Sequence, residues 1–191
     1  RASVASLGTM VLSSASELST EGASLQAASF ALQAGEWRNT GGTLTQRGPA
    51  GELKATIAGT LKNASGQIQA EGSLLRLEAA YLDNASGRLV QASMGDMSLQ
   101  MGTLQSQAGQ ILSKNGLSIT ATDAIDLSQA QTQAHDLTIS AASLDHRGGS
   151  LQSTGPATVN VAGQLNNHGG TLLSAASMQL RTRSEEHTSE L

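Results

Sequence analysis

Cysteine is absent from the sequence, and aromatic and proline residues are scarce. The absence of cysteine excludes a disulfide framework and thiolate chemistry. Phe30, Trp37 and Tyr81 are the only aromatic residues, whereas a globular core in a chain of 191 residues normally contains more large rings. Hydrophobic residues make up 38% of the chain, so the composition indicates a narrow interior filled by Leu, Ile, Val, Ala and Met.

Charge and long apolar runs are also limited. The formal net charge is −4, so the sequence has no basic footprint for nucleic acid. It contains no apolar run of about 18 residues, the length at which a membrane-spanning helix is considered, and we predict no membrane span. The chain begins with Arg1 inside repeat-like sequence and without a charged-then-apolar leader, so we interpret it as an internal fragment of a longer chain.

One phrase occurs twice between Leu61 and Gln91. Residues 61–70 read LKNASGQIQA and residues 82–91 read LDNASGRLVQ, an offset of 21 residues. A fixed period of this length is typical of a repeat architecture. Counting each unit from an apolar residue at position 0 gives eight units with steps of 19 to 24 residues. Position 0 is occupied by Leu18, Trp37, Leu61, Leu82, Leu104, Ile125, Leu144 and Leu165.

Three further positions recur with position 0. Position +2 is Asn39, Asn63, Asn84 and Asn167 in four units, and Thr20, Ser106, Leu127 and His146 in the others. Position +5 is Gly42, Gly66, Gly87, Gly109, Gly149 and Gly170, with Ala23 and Ala130 in the remaining units. Position +7 is Leu25, Leu44, Ile68, Leu89, Ile111, Leu151 and Leu172, with Thr132 as the polar exception.

The residues between these positions alternate between apolar and polar, which is the period of a β-strand. Leu53, Ala55 and Ile57 are one example, and the pattern recurs before each following position 0. We therefore predict two short strands per unit, near positions +5 to +9 and in the eight residues before the next unit. Such units cannot bury their apolar faces alone, but stacked copies can. An α-solenoid is disfavoured, because alternation outweighs helical spacing in most units.

The predicted fold is all-β: a right-handed parallel β-helix, or β-solenoid, with about eight coils of 19–24 residues over residues 1–182. The hand follows from the preference of parallel crossover connections. Strand spacing gives a rod about 40 Å long. The Asn residues at +2 are predicted to form a corner and to bond along the axis as an amide ladder. The Gly residues at +5 are predicted to supply positive φ, and the +7 residues to form the core.

Three stretches depart from the pattern. The 24-residue step contains residues 46–51, QRGPAG, which predict a small bulging loop. The unit of Ile125 is the most degenerate, with Leu127, Ala130 and Thr132 at +2, +5 and +7. Residues 183–191 read RSEEHTSEL, the translation of a sequencing-library adapter, so we predict a disordered artefactual tail and exclude it from the fold.

The units resemble the repeats of filamentous haemagglutinin-like exoproteins. Gly59 to Asn63 and Gly163 to Leu172 show the pattern most clearly, and the likeness covers about residues 7 to 182. This family includes adhesins and contact-dependent growth-inhibition effectors that are exported by two-partner secretion. The resemblance implies a β-helical shaft on the bacterial surface or in a secreted protein, associated with the outer membrane. It also implies an outer-membrane transporter as partner of the full-length protein, with any receptor bound through other regions.

No arrangement of residues predicts catalysis, a cofactor or a metal site. Asp83 and Asp145 share position +1 but are three units apart, and Asp123 and Asp126 flank a position 0 and are expected to face solvent. A polysaccharide-cleaving enzyme would need acids clustered on neighbouring coils. His146 and His168 lie in adjacent units without a third ligand, so His146 is expected to replace a corner Asn and His168 to face water.

Three functions remain open. The first is a structural shaft segment of a surface adhesin or toxin-delivery exoprotein, which the unbroken repeat favours. The second is a β-helix face that binds a receptor or glycan directly, for which Trp37 and Tyr81 are the available large aromatic residues. The third is a β-helix lyase or hydrolase, which would need longer loops to build a cleft.

Overall fold

The computed structural model describes residues 2–182, and all regular structure in that range is β-strand. The predicted tail at residues 183–191 lies outside the described residues. Strands are numbered in chain order and pair in parallel with their counterparts one coil away. The prediction of an all-β parallel solenoid is confirmed.

The first sheet consists of nine short strands, one from each coil. They carry positions +6 to +9 of the repeat, so each strand alternates between one outward and one inward side chain. The strands are β1 (Ser3–Ala5), β3 (Ser24–Ala27), β5 (Thr43–Gln46), β7 (Gln67–Ala70), β9 (Arg88–Gln91), β11 (Gln110–Ser113), β14 (Gln131–Ala134), β17 (Ser150–Ser153) and β20 (Thr171–Ser174).

The second sheet carries the alternating residues before position 0. Its main path is β2 (Thr9–Ser19), β4 (Ser29–Arg38), β6 (Glu52–Lys62), β8 (Leu74–Asp83), β10 (Asp96–Gln105), β12 (Leu117–Ala121), β15 (Leu137–Ala141), β18 (Ala157–Val161) and β21 (Met178–Thr182). Three short strands at position 0 pair alongside it: β13 (Ala124–Asp126), β16 (Ser143–Asp145) and β19 (Leu165–Asn166). The later coils thus have three strands rather than the predicted two.

The number of coils is about nine rather than eight, within the described residues. The additional coil begins with β1, which precedes the first position 0 at Leu18 and therefore escapes a count based on that position. All connections between the described strands contain five residues or fewer.

The core is a continuous column inside the solenoid. At position +7, Leu44, Ile68, Leu89, Ile111 and Leu151 are fully buried. Leu25 is also buried near the first end, whereas Leu172 in the last described coil is only half-buried. Side chains in each coil contact the coils above and below, so within residues 2–182 the side chains of the last coil contact a neighbouring coil on one side.

The predicted bulging loop is the five-residue connection after β5, and Gln46, the last residue of β5, supports it from inside. The side chain of Gln46 is fully buried, and its Nε2 donates to the carbonyl oxygens of Ala28, at 2.6 Å, and Gly48, at 2.5 Å. Its Oε1 accepts from the amides of Glu71, at 3.1 Å, and Gly72, at 2.8 Å. One amide side chain therefore satisfies the loop's inner polar groups and joins three coils.

Candidate functional site

A stacked turn is the most regular feature of the solenoid. In each of the eight units, the amide at +5 donates to the carbonyl at +2, with distances of 2.9–3.1 Å. The residue at +4 has a φ of +53 to +65°, the geometry of a type II turn. Successive turns also bond along the axis, as from the Ser65 amide to the Ala85 carbonyl, at 3.0 Å.

The predicted amide ladder lies on the inner side of this turn. Asn39 Nδ2 donates to Asn63 Oδ1, at 2.7 Å, and Asn63 Nδ2 donates to Asn84 Oδ1, also at 2.7 Å. Asn84 Nδ2 donates to Ser106 Oγ, at 2.9 Å, and Thr20 Oγ1 donates to Asn39 Oδ1, at 2.8 Å. The three Asn side chains are fully buried. Because buried amides without partners are costly, each of these Asn residues requires a polar partner at the same corner of the neighbouring coil.

The role assigned to the glycines at +5 is wrong, because the positive φ lies at +4. Position +4 is Gly22, Gly41, Ser65, Ser86, Ala108, Gln129, Gly148 and Gly169. The glycines at +5 are required by space. A Cβ on Gly66 would lie 2.3 Å from the Asn39 carbonyl oxygen and 2.6 Å from Asn63 Oδ1. The absence of a side chain at +5 therefore leaves space for the amides of the ladder and for the backbone of the preceding coil.

The same crowding holds at the other five glycines of this position. A Cβ would approach the carbonyl oxygen of the preceding corner residue within 2.2 to 2.7 Å at each of them. These glycines are Gly42, Gly87, Gly109, Gly149 and Gly170. The two units with Ala at this position are those whose corner residue is Thr20 or Leu127.

The ladder is interrupted in the unit of Ile125. Leu127 occupies the corner and is fully buried, so the corner has no side-chain hydrogen bond there. The ladder resumes at His146, whose Nδ1 lies 2.7 Å from Asn167 Oδ1. His146 is fully buried and takes the place of a corner Asn, while His168 is exposed. His146 Nε2 has no hydrogen-bond partner among residues 2–182.

Acidic residues at +1 support the turn from outside. Asp83, Asp126 and Asp145 each accept a hydrogen bond from the backbone amide two residues later, at 3.0, 2.8 and 3.1 Å. Asp126 and Asp145 are paired on neighbouring strands, a closeness that the sequence reasoning missed although both stand at +1. These three carboxylates therefore stabilise the turn by accepting hydrogen bonds from its backbone.

The hydrogen bonds of Asp145 do not suit the role of a general acid. Arg147 Nε donates to both oxygens of Asp145, at 3.0 and 2.9 Å. This hydrogen bonding lowers the pKa of the Asp145 carboxyl below its usual value. A glycosidase acid instead needs a raised pKa in order to hold its proton. Within residues 2–182 there is also no group of three His, Cys, Asp or Glu side chains that could hold a metal ion.

Trp37 and Tyr81, the two aromatic side chains considered for a binding face, have opposite environments. Trp37 is fully buried and its Nε1 donates to Thr20 Oγ1, at 2.9 Å, so it extends the corner ladder. The expectation that Trp37 could serve a binding face is therefore wrong. Tyr81 is half-buried on the outside. Burial, followed by the charges of Asp83 and Asp126, raises its pKa above the usual 10.0.

The Asn-Ala-Ser sequences at Asn63 and Asn84 resemble glycosylation acceptors. Both Asn side chains are fully buried and each of their amide groups is bonded within the ladder. A folded solenoid therefore keeps both amides out of reach of a modifying enzyme.

Surface depressions on the solenoid are open grooves between outward side chains. One lies on the first sheet and is lined by Val90, Leu112, Lys114, Gln133 and His135, among others. In this groove His135 Nδ1 lies 2.8 Å from Thr154 Oγ1, and His135 Nε2 lies 3.7 Å from Asp136 Oδ1. The contact between His135 and Thr154 is exposed to solvent on the open face of the sheet.

Within the described range no helix is long and apolar enough to cross a membrane.

Comparison with known proteins adds one finding. The chain matches the model of the haemagglutinin repeat family over residues 2–129 and 132–184. No curated protein and no solved structure matches it. The two matched segments meet in the unit of Ile125, where the ladder is also interrupted.

Proposed function

Because the chain belongs to the haemagglutinin repeat family, we propose that it is a segment of the structural shaft of a large bacterial surface or secreted exoprotein, an adhesin or a toxin-delivery protein. The observation that carries this proposal is the unbroken stack of coils. Strands and four-residue turns take up nearly every described residue, and connections of five residues or fewer leave no room for a cleft. Binding and catalytic groups usually lie on longer loops.

The known locations of the family support a secreted or surface-associated location for this shaft. Haemagglutinin repeat proteins are secreted or associated with the cell surface, and the family is in general not enzymatic. The repeat also implies two-partner secretion. We propose that the full-length protein is exported by an outer-membrane transporter, remains associated with the outer membrane or is released, and contacts any receptor through other regions.

The shaft can be shortened by whole coils without losing register. Leu61, Leu82 and Leu104 occupy one column of paired residues. Deleting residues 61–103 removes two coils, places Leu104 where Leu61 was, and brings Ser106 to the corner beside Asn39. We expect the full exoprotein with this deletion to be secreted, shortened by roughly 10 Å, and still adhesive or toxic.

A second deletion provides the control. Removing residues 61–93 takes out one and a half coils and would place strand residues of the second sheet at the corner, so secretion of folded protein should fall. If the 61–103 deletion variant is folded and secreted but no longer binds its target cell, the binding face lies within these coils and the shaft proposal is wrong.

A further inference from the structure

The solenoid changes its construction in the unit of Ile125. Before this unit, each strand of the second sheet continues as far as position +1, and β2, β4, β6, β8 and β10 each contain 10 or 11 residues. The pairings of β2 with β4, β4 with β6 and β6 with β8 shift register shortly before position 0. From β12 onward, just before Ile125, the same path is divided into a five-residue strand and a separate strand of two or three residues at position 0. Strand β10 is the last long strand and pairs with both β12 and β13.

The ladder of side-chain hydrogen bonds is interrupted in the same coil. Hydrogen bonds connect Thr20, Asn39, Asn63, Asn84 and Ser106 across five consecutive coils. The Leu127 side chain then offers neither donor nor acceptor to the corners on either side. Ladder bonds between coils are long-range contacts that tie neighbouring coils into one cooperative unit, and their absence weakens one interface relative to the others.

The coils after the interruption also bury more polar atoms without a partner. Thr132 Oγ1, His146 Nε2 and Asn160 Oδ1 are buried without a partner among residues 2–182, compared with Arg38 Nε and Gln91 Oε1 in the longer first part. Each such atom lowers the free energy of unfolding, because it loses hydrogen bonds to water on folding.

The apolar interior differs between the two parts at two places. Phe30 and Trp37, the buried phenyl and indole rings, belong to the first part, whereas β18 in the second part contributes only Ala157, Val159 and Val161. Elsewhere the two parts are alike, since β8 buries Leu75, Leu77 and Ala79 and β15 buries Leu137, Ile139 and Ala141. Less buried apolar area at β18 means less stabilisation for that coil.

We infer that the solenoid consists of two cooperative units joined in the coil of Ile125, and that the second unit opens while the first stays folded. The first unit ends near Ser113 and contains the ladder from Thr20 to Ser106. The second begins near Leu137 and contains the short ladder of His146 and Asn167. When a shaft built in this way is pulled, heated or passed through a pore, its unfolding is confined at first to one side of the coil of Ile125.

The single tryptophan provides the test. Trp37 fluorescence reports only on the first unit, whereas far-ultraviolet circular dichroism reports on all coils. In urea, we expect the dichroism signal to begin falling at a lower concentration than the Trp37 signal. Hydrogen exchange measured by mass spectrometry should show a step in protection, high for the peptide of β11 and uniformly lower for those of β15, β17 and β18.

Two substitutions at matched corners sharpen the test. Leu127→Asn supplies the missing side-chain link between Ser106 and His146, and should bring the two transitions together. Leu127→Ala removes the same apolar side chain without supplying the link, and should leave them separate. Asn84→Leu interrupts the ladder inside the first unit, and should move the Trp37 transition to lower urea.

Either of two results on the unsubstituted chain overturns the inference. Coincident dichroism and fluorescence transitions would show a single cooperative unit. A protection gradient that declines smoothly from β7 to β20, without a step, would show fraying from the end. The exchange measurement therefore decides the question even where a variant does not fold.

Discussion

At the scale of single residues, the corner of each coil is determined by two different demands. Position +4 requires a backbone with positive φ, and there the space around the Cβ is open, as at Gly41. Position +5 has ordinary backbone angles but lies against the preceding coil, as at Gly66. A glycine at +4 relieves backbone strain, whereas a glycine at +5 permits contact between coils.

Alanine substitutions separate these two demands. We expect Gly41→Ala to lower the free energy of unfolding by about 1–2 kcal/mol, the cost of a left-handed conformation for an L-residue. Gly66→Ala should cost more, about 3 kcal/mol, because its Cβ would lie 2.3 Å from a backbone oxygen that cannot rotate away. Urea denaturation of both variants measures the difference. Equal losses of unfolding free energy in the two variants would mean that the preceding coil moves away from a Cβ at +5 without cost.

The only tyrosine gives a prediction about pH. The raised pKa of Tyr81 means that the folded chain holds the phenol proton more tightly than the unfolded chain. The associated stability is complete below the unfolded pKa of about 10 and is lost as the pH rises through the folded pKa. Ultraviolet absorbance titration should show that Asp83→Asn and Asp126→Asn each lower this pKa. Asp136→Asn, at another corner, should leave it unchanged, and an equal shift in all three variants would refute the assignment.

At the scale of strands, the alternation between inside and outside decides where a charge can be placed. Ile68 is fully buried in β7, while its neighbour Gln67 points outward beside Arg88 on the adjacent strand. Burial of an unpaired carboxylate is among the most destabilising changes known, since it costs the hydration of the charge.

The matched substitutions Ile68→Asp and Gln67→Asp test this alternation. Ile68→Asp should lower the free energy of unfolding by more than about 4 kcal/mol, enough to threaten folding. Gln67→Asp should stay within about 1 kcal/mol of the original chain, since its charge is hydrated and faces Arg88. Thermal melting of the two variants checks the pair. An unchanged melting temperature for Ile68→Asp would place position +7 outside the core.

The strands and the ladder could be predicted from the sequence because both depend on local periodicity. Alternation gives the inward columns directly, and the repeated Asn39, Asn63 and Asn84 indicate a stacked corner. The positive φ at +4 was missed although glycine occupies this position in four of the eight units. The other four units hid the signal, because residues such as Ala108 and Gln129 ordinarily avoid positive φ. There the turn hydrogen bond and the stacking of coils outweigh the local preference.

Other features depend on contacts between distant residues. The hydrogen bond from Trp37 Nε1 to Thr20 joins two coils and is not visible in a single repeat unit. The burial of Trp37 follows from its place at position 0, where Leu61 is also fully buried. The division of the later second-sheet strands also has no marker in the alternation, since Leu117 to Ala121 repeats the same pattern as the earlier strands. Asp126 and Asp145 both stand at position +1. Their proximity follows from this shared position only when it is known which coils are neighbours and how their strands are aligned.

At the scale of the whole molecule, stability comes from stacking, and the ends differ from the middle. Within residues 2–182, the outermost strands β1, β2, β20 and β21 each have one hydrogen-bonded neighbour. Large apolar side chains are exposed near these ends, including Val4, Val11 and Leu180. Unpaired strand edges of this kind pair readily with other chains.

We therefore expect the isolated chain to associate end to end as its concentration rises, and light scattering to report the growing mass. Leu180 lies on the edge strand β21, in register with buried Val159, and is 46% exposed. Leu180→Lys places an inward-pointing charge on that edge, a device that prevents strands from pairing, and should shift the distribution toward monomer. Met94→Lys introduces the same charge at a side chain that is 71% exposed in a connection in the middle of the solenoid, and should leave association unchanged. A chain that stays monomeric at high concentration, or equal effects of the two lysines, would show that the strand edges do not drive association.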